Sequence, residues 1–85
     1  MYKNRLTEQE MRAILASNLC YLRQSKKGIS QEALARTLTL SRKTIMNYEA
    51  GKVSPAAYVV FSLAGYYGCT MEELLTKELY RKDGQ

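Results

Sequence analysis

Histidine and tryptophan are missing from the 85-residue sequence, and its two cysteines, Cys20 and Cys69, stand far apart. Zinc sites are built from cysteine and histidine side chains at short, paired spacings, so we expect no metal. With histidine absent, no nucleophile, base and orienting group can be recognised together, and we expect no enzyme and no cofactor. Both cysteines are predicted to be free thiols. Cys20 is expected to be exposed, because it lies opposite the apolar stripe of its helix, and Cys69 to be a buried small apolar residue.

Long apolar runs are also missing. No stretch approaches the roughly 18 apolar residues of a membrane-spanning helix. The first residues, MYKNRLTEQEM, lack the apolar centre of a secretory signal. We therefore expect a cytoplasmic protein with no membrane partner. The 46% of apolar residues is enough for one small core, which predicts a single domain over residues 1–85.

Basic residues outnumber acidic ones by five, and this excess lies in the middle of the chain. Residues 23–52 hold two acidic residues and seven basic ones, whereas the flanking segments nearly cancel. The seven are Arg23, Lys26, Lys27, Arg36, Arg42, Lys43 and Lys52. A localised positive charge indicates a polyanionic partner, but an ordinary solvated surface can have the same composition. Charge alone leaves both interpretations open.

Capping residues divide the chain into predicted helices. The first runs from about residue 8 to residue 26, between a Thr7–Glu10 capping box and Gly28, a residue type that commonly ends helices. Ser30 and Ser41 can cap a second and a third helix. No alternating strand pattern competes with these helices, so the expected fold class is all-α.

The same signals predict two further helices. Ser54 and Pro55 provide an N-cap and a first residue for a fourth helix, which runs to about residue 67 before Gly68. Thr70 and Glu73 form a second capping box, which opens the fifth. The fourth helix is apolar over more of its circumference than one small core requires. This predicts an interface with another chain, formed by helix four, helix five or the YRKDGQ tail, although burial between helices one and five is an alternative.

The second and third helices are joined by about three residues, as in a helix-turn-helix unit. On a helical wheel, Ile45 and Tyr48 of the third helix point inward. Two pairs at i, i+4 spacing point outward: Arg42 with Met46, and Lys43 with Asn47. Cations in a first helical turn oppose the helix dipole by about 0.3 to 1 kcal/mol each, and a local rule broken without structural compensation suggests function. Arginine and lysine can bond guanine in the major groove and asparagine can bond adenine, so this face is predicted to contact DNA. A solvated helix face is the alternative.

Two stretches of the sequence, LRQSKKGISQEALARTLTLSRKTIMNYEAGKVSP and LAGYYGCTMEELL, resemble the lambda-repressor-like, Cro-type helix-turn-helix family, also called the xenobiotic-response-element family. The resemblance covers about residues 18–75. It implies a five-helix DNA-binding domain whose helices two and three form the helix-turn-helix. It also implies a dimer that places helix three in the major groove of a palindromic operator. We therefore expect a sequence-specific transcriptional regulator that acts on double-stranded DNA as a homodimeric repressor.

The resemblance also implies roles for individual residues. Five residues fall where the family reads bases or lie beside those positions: Arg42, Lys43, Asn47, Ser41 and Thr44. Gln31 and Lys52 fall where the family contacts phosphates, and the basic residues Arg23, Lys26 and Lys27 are grouped with them as candidates. The family arginine near Arg23 often pairs with the glutamate that corresponds to Glu49. A structural salt bridge and a phosphate contact are therefore equal alternatives for Arg23.

Two positions depart from the family pattern. The family commonly has glycine, often with positive φ, where this chain has Thr39 in the turn of the helix-turn-helix. The stretch between Arg23 and Gln31 is also one residue longer than usual, which leaves open that the pairing with Glu49 shifts from Arg23 or is lost.

Three other functions are compatible with the same fold. The chain could be an antitoxin with an unknown toxin partner, or the controller protein of a restriction-modification operon. It could also be an interaction adaptor that does not bind DNA. An adaptor has no need of Arg42 and Lys43 in the first turn of helix three, and this feature argues against it.

Overall fold

The structure, a computed structural model, describes residues 5–81 of the chain. Five α-helices follow one another: α1 (Glu8–Tyr21), α2 (Gln31–Leu38), α3 (Arg42–Glu49), α4 (Ala57–Tyr67) and α5 (Met71–Thr76). A π-helical turn, Leu22–Lys27, continues α1, and a 3-10 turn, Leu79–Arg81, follows α5. Residues 5–81 contain no strand, so the all-α prediction is confirmed. None of the helices in this range has the length and apolarity needed to cross a bilayer.

Four of the predicted helix starts are confirmed. Thr7 Oγ1 accepts a hydrogen bond from the Glu10 amide at 3.0 Å, and Glu10 Oε1 accepts one from the Thr7 amide at 2.8 Å. The same reciprocal capping box opens α5, and serine hydroxyls cap α2 and α3. These side chains satisfy amide groups that have no partner inside the helix, which is why short polar residues mark the starts.

The prediction that Ser54 caps the fourth helix and Pro55 opens it is wrong. The helix begins at Ala57, with Ala56 in the N-cap position and no capping hydrogen bond from a side chain. The Ser54 hydroxyl instead donates to Glu8 Oε2 at 2.8 Å. This tertiary hydrogen bond joins the segment after α3 to the first turn of α1, and it replaces the local cap that the sequence signals.

The first helix has the predicted extent but not the predicted type throughout. It is α-helical only to Tyr21, and the following π-helical turn ends at Gly28, which has φ 62°. A π turn accommodates one residue more than an α turn. It lies in the stretch that we expect to be one residue longer than the family pattern, and a wider turn can take up such a residue inside the helix.

One hydrophobic core receives side chains from all five helices. Its most deeply buried apolar members include Leu15, Leu19, Leu34, Ile45, Leu63, Tyr67 and Leu74. Tyr48, Met71, Leu75 and Cys69 are partly buried and pack against this core. The fully buried Asn18 donates to the carbonyls of Leu74 and Lys77, and it accepts a hydrogen bond from the Leu79 amide at 2.9 Å. A polar side chain of α1 thereby fixes the end of α5.

The turn between α2 and α3 keeps the backbone conformation in which the family prefers glycine. Thr39 has φ 58° and ψ 44°, and it is the one non-glycine residue with positive φ in the described part of the chain. The Leu40 amide donates to the Ala35 carbonyl at 2.8 Å and closes the turn. A β-branched residue is disfavoured in this left-handed region because its side chain crowds the backbone.

Thr39→Gly is therefore expected to stabilise the fold by about 1 kcal/mol. The relief of left-handed strain exceeds the entropy that glycine adds to the unfolded chain. The measurement is urea unfolding, with a higher midpoint and an unchanged slope. Thr37→Gly, in the last turn of α2, is the control and should destabilise. A lower midpoint for Thr39→Gly would show that the turn does not strain threonine.

Candidate nucleic-acid interface

Helix α3 is fixed from its inner side, which leaves its outer side free. Ile45 is 1% exposed, and Tyr48 packs against the core on the same side. Ser41 caps the helix by accepting from the Thr44 amide at 3.1 Å. Its hydroxyl also lies 2.8 Å from the Thr44 hydroxyl. The two hydroxyls therefore stabilise the helix start, and contacts of Ser41 and Thr44 with DNA remain a prediction.

The outer side of α3 carries two exposed cations, Arg42 and Lys43, in its first turn. No acidic residue lies in that turn, and no ion pair within 4 Å engages either cation among residues 5–81. Their charges therefore oppose the helix dipole without compensation inside the described chain. The arrangement presents two unpaired cations to solvent at the end of a rigidly held helix.

Two further residues extend this face toward the end of α3. Asn47 is half-buried, and its carbonyl accepts from the Lys52 amide at 3.1 Å, so the chain folds back and the exposed Lys52 follows directly after the helix. Met46 is 41% exposed. The helical wheel places Met46 with Arg42 on the outer side, but the sequence analysis predicts no role for Met46. An exposed apolar side chain beside the predicted base-reading groups can contact the methyl group of thymine.

A buried carboxylate lies beneath this surface. The side chain of Glu49, at the end of α3, is only 3% exposed. Its Oε2 accepts from Arg23 Nε at 2.7 Å, and its Oε1 accepts from Arg23 Nη2 and Gln31 Nε2, each at 3.0 Å. Arg23 Nη1 also donates to the Ile29 carbonyl at 2.9 Å. One carboxylate thus connects the π-helical turn after α1, the first turn of α2 and the last turn of α3.

The prediction that Cys20 is exposed is wrong. Cys20 is half-buried, and its thiol lies 3.5 Å from Glu49 Oε1. Burial, followed by the negative charge of Glu49, raises the pKa of the Cys20 thiol. The thiol is therefore neutral and donates a weak hydrogen bond to the carboxylate. Hydrogen bonding to Glu49 likewise raises the pKa of Arg23, although burial opposes it.

Of the two alternatives for Arg23, a salt bridge and a phosphate contact, the structure contains the salt bridge. The residue is 9% exposed and its guanidinium is shared between Glu49 and the Ile29 carbonyl. Little of the guanidinium remains to contact a phosphate. The π-helical turn explains why the pairing survives the longer segment, because it absorbs the extra residue beyond Arg23.

Lys26 and Lys27 lie against the end of α4. Lys26 Nζ donates to the Tyr67 carbonyl at 2.6 Å, and Lys27 Nζ lies 4.6 Å from the centre of the Tyr66 ring. A cation at the carboxyl end of a helix is stabilised by the helix dipole. These contacts give both lysines a structural role, but both residues stay exposed, and a contact of either with phosphate remains a prediction.

Gln31 is the first residue of α2 and is half-buried. Its hydrogen bond to Glu49 fixes the direction of its side chain and leaves a second amide hydrogen and the amide oxygen for other partners. A contact between Gln31 and a phosphate remains a prediction. The described residues contain no group of three or more metal-ligating side chains that could hold a metal ion.

Helix α3 is capped, has a buried inner side and a basic outer side, and follows α2 after a tight turn. This arrangement defines a helix-turn-helix DNA-binding domain. A helix-turn-helix family model matches residues 21–74, well over half of the chain. The protein therefore belongs to the helix-turn-helix family of transcriptional regulators, as the resemblance implied. The helix-turn-helix fold of this family implies DNA binding.

Two individual proteins are similar to this chain. An uncharacterised HTH-type transcriptional regulator of Methanocaldococcus jannaschii is 36% identical over 51 residues, which cover 60% of this chain and 77% of that protein. The crystal structure of a hypothetical transcription factor from Neisseria matches with a TM-score of 0.73 and 28% identity. That match covers 100% of this chain and 97% of the other.

Removal of one partner from the buried ion pair is expected to destabilise the fold. Glu49→Met should cost about 3 kcal/mol, because it leaves the Arg23 guanidinium buried without its counter-charge. Arg23→Met combined with Glu49→Met should cost less than the sum of the two single changes. The measurement is a double-mutant cycle from urea unfolding.

The control is the exposed pair Arg36 and Glu32, whose nitrogen and oxygen lie 3.4 Å apart on α2. Glu32→Met should change the stability by less than about 0.5 kcal/mol, since exposed pairs contribute little. Equal costs for Glu49→Met and Glu32→Met would contradict a structural role for the buried pair.

Proposed function

We propose that this protein binds a palindromic DNA operator as a homodimer and represses transcription from it. The observation that carries the proposal is the outer side of α3, where Arg42 and Lys43 are exposed and unpaired at the start of a helix anchored by Ile45. Cations in this position weaken the helix, and DNA supplies the negative charge that compensates them. A dimer bound at two half-sites about 34 Å apart covers promoter DNA that polymerase must also contact.

The proposed contacts fall into two groups. Arg42 and Lys43 bond guanine, Asn47 bonds adenine, and Ser41 and Thr44 lie beside them at the entry of the major groove. Gln31, held by Glu49, and Lys52, which follows α3, bind phosphates on either side. Phosphate contacts position the helix and base contacts provide sequence specificity. Met46 adds an apolar contact on the same face.

In vitro selection from random duplexes tests the class of function. We expect enrichment of a single palindrome, because two copies related by a two-fold axis read two identical half-sites. The genes beside matching genomic sites would then separate a repressor from an antitoxin or a controller protein. A pool without any enriched sequence would favour the adaptor and would contradict the proposal.

Single substitutions separate base reading from phosphate binding. Arg42→Ala and Asn47→Ala should each cost about 1 to 3 kcal/mol on the selected site and far less on random DNA. Lys52→Ala should weaken binding to all sequences similarly, and it should make the slope of log K against log salt shallower by about one. The measurement is a salt titration of each variant against the selected site, its single-base variants and a scrambled duplex.

Arg36→Ala is the matched control, because Arg36 is an exposed arginine on α2 that is paired with Glu32. It should leave the preference among base pairs unchanged. If Arg42→Ala and Asn47→Ala weaken binding equally on all duplexes, these residues bind backbone and the assignment of base reading is wrong.

A further inference from the structure

Helix α4 exposes two large aromatic side chains on its outer side. Tyr58 is 78% exposed and Phe61 is 65% exposed, and they lie three residues apart on one face of the helix. Aromatic rings left in water forgo the free energy that their burial would provide, and adjacent exposed rings are typical of protein interfaces. This face is distinct from the basic face of α3.

Gly65 lies on the same face, four residues after Phe61. A Cβ atom at Gly65 would meet no atom within 4 Å, and its φ is not positive. Neither backbone conformation nor packing within the subunit therefore requires glycine here. Glycine weakens a helix interior, so the missing side chain calls for a reason outside the subunit. Close approach of a second helix supplies one.

We propose that a second copy of the chain docks on this face, with the two α4 helices antiparallel. The proposal rests on the homodimer of the proposed function and names its surface. In a two-fold arrangement, the contact that one subunit makes is returned by the other. Phe61 and Gly65 lie about 6 Å apart along the helix axis. An antiparallel pair centred between them therefore places each Phe61 ring over Gly65 of the partner subunit.

Charge favours a second copy as the occupant of this face. Of the five helices, α4 alone contains no charged residue, while the chain as a whole has a net charge of +5. The surface beside Tyr58 is also uncharged: a cavity of about 270 Å³ there is lined by Thr37, Leu38, Thr39, Leu40, Val59 and Ser62. Two positively charged copies can meet at this face without placing like charges opposite each other.

The size of the patch predicts a weak dimer. From typical areas of aromatic side chains, Tyr58 and Phe61 together expose roughly 250 Å² of surface per subunit. Stable interfaces bury about 800 Å² per partner, so the two rings provide the centre of a small interface. A dimer with so small a centre is weak on its own, and adjacent half-sites on DNA strengthen it by holding the two copies together.

Sedimentation equilibrium without DNA tests the surface. The unmodified protein, loaded at roughly tens of micromolar, should show a monomer–dimer equilibrium, because an interface below the standard size gives weak association. Phe61→Gln and Gly65→Leu should each raise the dissociation constant at least about tenfold, because one removes the ring and the other fills the space beneath it. Ala13→Gln, at an exposed position on α1, should leave it unchanged within about twofold.

Gly65→Leu separates docking from folding. Its side chain enters open space in the single subunit, so the urea midpoint at submicromolar concentration should rise, since leucine is the better helix former. A variant that is more stable as a monomer but dimerises more weakly cannot be explained by misfolding. A protein that stays monomeric at these concentrations would overturn the inference, as would unchanged dimerisation of Phe61→Gln and Gly65→Leu.

Binding to a single half-site distinguishes this inference from the proposed function. Phe61→Gln should bind one half-site as well as the unmodified protein does, but it should lose the added affinity for the palindrome. If the unmodified protein dimerises through α4 yet binds no DNA, the proposed function is wrong and the docking surface stands. If the palindrome advantage persists in both α4 variants, the docking surface is wrong and DNA binding stands.

Discussion

The carboxylate of Glu49 holds together the parts of the chain that form the DNA-binding unit. It accepts two hydrogen bonds from Arg23 and one from Gln31, while the Cys20 thiol approaches it from α1. A buried charge is costly unless it is paired and hydrogen-bonded, so these partners have little freedom to move independently. The start of α2 and the end of α3 are therefore fixed relative to α1. The orientation of α3 relative to α1 and α2 follows from this arrangement.

Stability and function make opposite demands on α3. Its inner side is tied to the core by Ile45, and its last turn is tied by Glu49. Its first turn carries two cations that the helix dipole disfavours. Because Ile45 and Glu49 already hold the inner side and the last turn of α3, the helix tolerates two unfavourable charges in its first turn. The local rule of stability is broken on the side of α3 that we propose contacts DNA.

The sequence predicts the parts of this fold that local chemistry controls. The caps at Thr7, Ser30, Ser41 and Thr70 depend on residues within three positions of one another, and all were predictable. The environments of Ser54 and Cys20 depend on Glu8 and Glu49, which lie 46 and 29 residues away in the sequence, and periodicity does not report such contacts. The outer side of α3 was predictable from its helical wheel. The partner of Arg23 was not predictable, because a salt bridge with Glu49 and a contact with phosphate were both compatible with the sequence.

The π-helical turn after α1 affects how sequences of this family should be aligned. A residue inserted into a loop is normally aligned as a gap in that loop, here before Ser30. The structure places the surplus inside a continuous helix, between Leu22 and Lys27, with Gly28 still ending it. A gap in the loop would leave Arg23 in its place but would shift Lys26 and Lys27 by one position. The reliable reference point is the residue that reaches Glu49, because a wider helical turn changes the spacing but not the partner.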